Sequence, residues 1–121
     1  MSIVLTGFEA LTSTAPIEGG VVVVYITTPR GKGKEIAQKL LEERLAACIN
    51  ITPVESGYWW QGKIENDQED LLIVKTSMDK LPKLIEKVKE IHPYQVPEIV
   101  AVPVVACYAE YCRWVREETH Q

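Results

Sequence analysis

His92 and Glu98 bracket the segment Ile91-His92-Pro93-Tyr94-Gln95-Val96-Pro97-Glu98, which gathers an imidazole, a phenol and a carboxylate between two prolines. Pro93 disfavours the α conformation at His92, and Pro97 does the same at Val96, so the segment is a stiff, extended connector. Stiff loops cost less to order around a ligand than floppy ones. A neutral imidazole nitrogen suits a divalent ion such as Cu(II), and Glu98 would be its co-ligand. The same pair could bind a polar small molecule, or the loop could simply join two elements. In that last case the His92 charge complements a helix C-terminus.

Other side chains invite weighing in the same way. Lys75 follows four apolar residues in what should be a central strand, and a buried charge there needs a carboxylate partner. Glu98, at the start of the last strand, is the natural one. Cys48 lies where the first helix hands over to the second strand, and core packing is its weightier reading because free Cys is among the most buried residue types. Trp59 and Trp60 are consecutive and point to opposite faces of a strand, one inside the subunit and one towards a neighbour. Gly31 and Gly33 precede a helix without the rest of a phosphate-binding pattern, and read as a turn.

The chain that carries these residues has 121 of them, enough for one domain with a real core. Apolar content of 46% and charged content of 25% are those of a soluble globular protein. A net charge of −4 argues against nucleic acid as a partner, because phosphate neutralisation wants a basic face. No apolar run approaches the ~20 residues of a membrane helix, and residues 1–20 lack the basic start of a secretory signal. Three cysteines without a C-x-x-C pair (Cys48, Cys107, Cys112) read as reduced thiols of a cytoplasmic protein.

Residues 1–19 read as a flexible N-terminal extension, and the domain as 20–121. Val21–Ile26 is β-branched on both faces, the mark of a strand covered on both sides. From Lys34 to Leu45, the residues Ile36, Ala37, Leu40, Leu41 and Leu45 fall on one helical stripe. Two strands follow, Cys48–Trp60 and Lys63–Thr76, joined through Gln61-Gly62 as a tight hairpin, with the acidic run Glu65–Asp70 expected to bulge or bend the second. Leu81, Leu84, Ile85, Val88 and Ile91 mark a second helix that begins at Asp79 or later and ends before Pro93. Glu98–Ala106 is a last strand, at an edge or bulged because of Pro103. A helix over Tyr108–Glu117 follows, with Tyr111, Trp114 and Val115 inward. The order β-α-β-β-α-β gives an α+β, ferredoxin-like sandwich: a four-stranded antiparallel sheet with two helices on one face. Its other face is apolar too, and an identical subunit is the economical cover.

Several ordered segments are similar to those of the CutA family, the divalent-cation-tolerance family: Glu42-Glu43-Arg44-Leu45-Ala46-Ala47-Cys48-Ile49-Asn50, Tyr58-Trp59-Trp60-Gln61-Gly62-Lys63, Lys75-Thr76, His92 through Ile99, and Tyr111 with Trp114. The resemblance spans Val21 to about Glu117. It implies a homotrimer of ferredoxin-like subunits whose hairpins extend onto neighbours, a link to divalent metals with copper binding in some members, a likeness to PII-type signalling trimers, and no established enzymatic activity. Lys75, Tyr94, Glu98, Trp60 and Cys48 are motif residues for a cleft between subunits. The strand-end Cys of a proposed family metal site is replaced here by Ile26 or its neighbours, and Ile91-His92 stands where some relatives have two histidines.

The function expected is therefore non-enzymatic: a trimer of metal tolerance or response, binding Cu(II) or another divalent cation, none of them obligatory, or a small ligand near His92 and Glu98. The alternative is a PII-like protein holding a small anionic metabolite beside Lys75. Phosphate hydrolysis on this fold would need Arg30 and Asn50 together, and they fall at opposite ends of the first helix. The partner expected is a further copy of the chain, with neither nucleic acid nor membrane, and the sequence names no other protein partner.

Overall fold

The computed structural model describes residues 20–120. The extension read over residues 1–19 lies outside them. Four strands and three helices follow in the order β1 (Val21–Pro29), α1 (Gly33–Glu42), β2 (Cys48–Trp60), β3 (Lys63–Ser77), α2 (Leu81–Ile91), β4 (Ile99–Pro103) and α3 (Ala109–Glu118), with a 3₁₀ turn at Met78–Lys80. The sheet is antiparallel throughout, with strand order β2-β3-β1-β4. This is the expected α+β arrangement, with Pro103 on an edge strand.

Alternation along the strands divides the core. Val22, Val24, Ile26, Leu72 and Val74 point to one face and pack with Ile36, Ala37 and Leu40 of α1 and Leu84 and Val88 of α2. α1 stops at Glu42, earlier than its apolar stripe. Arg44 takes a positive φ of 59° and the Leu45 amide bonds back to Leu40, so Leu45 is buried without being helical. The 3₁₀ turn absorbs Asp79, and Pro82 falls in the first turn of α2 where its missing N–H is harmless.

β2 and β3 pair one-to-one from Cys48↔Lys75 to Trp60↔Lys63. The acidic run 65–70 therefore neither bulges nor bends the ladder. Asp67 accepts from Tyr58 and Glu69 from Tyr94, while Asp70 accepts from Gly31 and Gly33 on the opposite face. Gln61 and Gly62 both have positive φ, 50° and 79°, as a two-residue hairpin turn requires. β1 pairs with β3 only as far as Pro29↔Glu69, so residues 55–68 form a two-stranded arm beyond the body.

Among the described residues, the second sheet face is covered at one end only. Cys112 and Val115 of α3 pack on Val21, and Ser77 shares a 2.5 Å hydrogen bond with Thr119. Tyr111 and Trp114 are exposed, contrary to the inward reading. The helix turns Cys112, Val115 and Thr119 to the sheet, and this stripe leaves both rings outside it. Cys107 and Cys112 form a disulfide, which corrects the reading of three reduced thiols. The turn out of β4 into α3 brings their Cα atoms to 6.2 Å, a closeness that a spacing of five does not announce. Cys48 is the free cysteine.

Candidate functional site

The loop after α2 folds back against the base of the β2–β3 arm, and a cleft of about 800 Å³ opens between them. Tyr58 and Trp60 of β2 form one wall, and residues 93–98 form the other. Glu55, Glu69 and Glu98 also line it, and no Lys, Arg or His does. Alternation along β3 turns Glu69 to the cleft side. Glu65, Asp67 and Glu69 share one face, whereas Asp70 points to the other and serves the first helix.

Asp70 reaches the turn before α1. Its Oδ2 accepts N–H bonds from Gly31 at 2.9 Å and Gly33 at 3.1 Å, and its Oδ1 lies 3.4 Å from Nε of Arg30. It thus caps α1 from a neighbouring strand, a role its position within an acidic run does not reveal. Gly31 has φ +90°, and a Cβ on Gly33 would stand 2.9 Å from both Asp70 Cβ and Leu72 Cδ1. The two glycines are a turn, as the sequence suggests, and the anion they receive is a side chain of the protein itself.

His92 is 7% exposed and does not line the cleft. Its Nε2 lies 2.7 Å from the Thr27 carbonyl, which can only accept, and its Nδ1 accepts the Tyr94 N–H at 3.0 Å. The ring is therefore neutral, with its proton on Nε2, and each nitrogen already has a partner. The rings of His92 and Tyr94 lie 4.9 Å apart, tilted by 51°. Together these contacts lock the loop onto β1 and aim the Tyr94 hydroxyl inward. It donates to Oε2 of Glu69 at 2.9 Å.

Both cleft phenols hold their protons more tightly than usual. Burial, then the hydrogen bond to Glu69, pushes Tyr94 well above the ordinary range. Tyr58 donates to Asp67, and that bond, with the neighbouring carboxylate charges, pushes it up to about 12.

Of the residues singled out from the sequence, Tyr94, Glu98 and Trp60 meet in this cleft, and Lys75 and Cys48 do not. Lys75 lies opposite Cys48 on β2 and Val23 on β1, and its Nζ bonds Asn50 Oδ1 and the Ile73 carbonyl. Its partner is thus an amide and not Glu98. The register explains this: Lys75 shares a row with Val102, three residues and about 10 Å along β4 from Ile99. Burial, and then the neighbouring Cys48, raise the Tyr111 phenol above its ordinary range. Glu55, Glu69 and Tyr58 escaped the sequence reading; period-two alternation puts Tyr58 and Glu69 on one face of the paired strands and Glu55 on the other. Among the described residues, no three of His, Cys, Asp and Glu stand close enough to share a metal ion. No helix among them is long and apolar enough to cross a membrane.

Residues 22–118 match the family model described as CutA1 divalent ion tolerance protein. The chain belongs to that family. The "Divalent-cation tolerance protein CutA" of Thermus thermophilus is 54% identical over 99 residues, covering 80% of this chain and 96% of its own length. Rice "Protein CutA 1, chloroplastic" is 42% identical over 115 residues, covering 93% of this chain, which spans only 63% of the rice protein. Among solved structures, the "PII-like protein CutA" of Nostoc superposes with a TM-score of 0.78 at 36% identity, covering 82% of this chain and 97% of that one. Of these relatives, the Thermus protein is named for divalent-cation tolerance.

Proposed function

We propose that this CutA-family chain is a non-enzymatic homotrimer of divalent-metal tolerance, and that the cleft beside the His92–Glu98 loop binds its metal ion or small ligand. The observation that carries this reading is the charge of the cleft: Glu55, Glu69 and Glu98 line it without a basic side chain. A concave site lined by one sign of charge raises the local concentration of the opposite ion. Trimerisation rests on the sheet face left open beyond α3, where Val23, Tyr25 and Ile73 are half-buried and Val100 and Val102 exposed. A further copy of the chain would cover it and bring its own arm to the cleft. Glu98 is the first ligand on this reading, and His92 positions the loop while its two backbone bonds persist. Calorimetric titration of Cu(II) into wild type, Glu98→Gln and His92→Ala tests it. Affinity should fall in Glu98→Gln, and equal affinity in all three would remove both residues as ligands. Light scattering that finds a monomer would remove the trimer.

A PII-like role, with a small anionic metabolite beside Lys75, has one observation in its favour. Among the described residues, the Lys75 ammonium meets only the Asn50 amide and a carbonyl, and so retains an uncompensated positive charge. A metabolite that binds there must raise the melting temperature. A panel of anionic metabolites that leaves it unchanged rejects this reading.

A further inference from the structure

Glu69, the innermost carboxylate of the cleft, has an unmet charge. It is 4% exposed, and Oε2 accepts the Tyr94 hydroxyl. Among the described residues, no cationic side chain stands within ion-pair distance of its carboxylate. Arg30 comes near, but its Nε bonds the Glu69 main-chain carbonyl and its charge faces Asp70. A carboxylate withdrawn from water beside one neutral donor is costly, and a cation placed against it recovers that cost.

The cleft's walls specify what sort of cation. No metal-sized cluster of ligands exists among the described residues, and about 800 Å³ is the size of an organic-ligand pocket, not of an ion site. The walls are aromatic: Trp60, Tyr58 and Tyr94. Both tyrosine hydroxyls are tied to carboxylates, Tyr58 to Asp67 and Tyr94 to Glu69, so neither ring is free to swing away. Electron-rich ring faces attract alkylated ammonium groups, and flanking carboxylates fix the sign of the guest.

We infer that the cleft binds an organic ammonium compound, with Glu69 and Glu98 supplying the counter-charge and Trp60, Tyr58 and Tyr94 the ring faces. This rests on the reading of the cleft as the binding site and names its ligand class. The Asp67, Glu69 and Glu65 charges that help raise the Tyr58 phenol act in the same sense, because a field that resists a phenolate favours a cation.

Tetramethylammonium and spermidine are the probes, titrated calorimetrically into the full chain, with Cu(II) as a separate titrant. Tetramethylammonium cannot donate a hydrogen bond, so its binding reports ring faces and charge alone. Glu69→Gln removes the charge and keeps an oxygen for Tyr94, and Trp60→Leu removes a ring at an exposed position outside the core. Both amines should bind the wild type at millimolar concentration, and each variant should weaken them roughly tenfold. Wild type that binds neither amine, or amine affinity unchanged in both variants, overturns the inference. Cu(II) binding without amine binding overturns it and leaves the metal reading standing. Amine binding without Cu(II) supports it and removes the metal.

Discussion

Glu69 and Asp70 are adjacent in sequence and serve opposite sides of the sheet. Asp70 closes the turn before α1 by accepting the amides of Gly31 and Gly33, and Glu69 accepts the Tyr94 hydroxyl at the floor of the cleft. One step along β3 thus separates a group that holds the fold from one that shapes the site.

The Asp70 turn tolerates no added bulk. Gly33→Ala places a methyl 2.9 Å from Asp70 Cβ and Leu72 Cδ1, neither of which is the free end of a long flexible chain. A loss of about 1–3 kcal/mol is expected from the overpacking. Asp70→Ala leaves two amides without their acceptor and should cost about as much, ~1–3 kcal/mol. Urea unfolding checks both, and an unchanged midpoint in either variant would contradict the capping role.

His92→Ala should act on stability before it acts on any ligand. It strips the Thr27 carbonyl and the Tyr94 amide of their side-chain partner. Leaving such groups unsatisfied costs about 1–3 kcal/mol. Chemical denaturation measures the loss, and Tyr94 fluorescence or amide exchange should show the loop loosened. A variant as stable as wild type, with an equally protected loop, would refute the locking role.

The tyrosines link stability to alkaline pH. Tyr58 and Tyr94 ionise at higher pH in the folded chain than in the unfolded one, where the ordinary value is 10.0. Their contribution is therefore complete below pH 10 and is lost as pH rises, for Tyr58 between 10 and about 12. Phenolate absorbance should show a component titrating near 12 that disappears in Tyr58→Phe. Five tyrosines ionising together near 10 would exclude it.

The open sheet face offers a direct test of assembly. Ile73→Lys puts a charge among Val23, Tyr25 and Val100 without entering the helix-side core. On the trimer reading, an unpaired charge at that interface should reduce the scattering mass towards the 13.6 kDa of a single chain. A variant of unchanged mass would move the interface elsewhere.

Much of this architecture was legible because it rests on local chemistry. The Val21–Ile26 run, the Gln61-Gly62 turn and Pro103 each restrict the backbone by themselves, and they form the expected strand, hairpin turn and edge position, although the second face of the Val21–Ile26 strand is only half-buried among the described residues. The errors share another cause, namely contacts between residues distant in the chain. Leu45 keeps helical spacing after the helix has ended, because its burial is what the spacing reports. Tyr111 and Trp114 look like core residues until the docking angle of α3 is known. Pairing Lys75 with Glu98 required the register of β1 with β4, which no spacing encodes. In the cleft, Tyr94, Glu98 and Trp60 came from motif and loop chemistry. Glu55 and Glu69 needed the fold to bring strand and loop together.

The hairpin arm beyond Glu69 exposes Trp59 by 72% and its cross-strand partner Ile64 by 63%. A ribbon of two strands is marginal in water by itself. On the trimer reading its order depends on the neighbouring copy, and the arm becomes a gauge of how many chains share the solution. Dilution should free the amides of residues 55–68 to exchange while those of β1 stay protected. One of the two walls of the cleft would then exist only when the protein is in company.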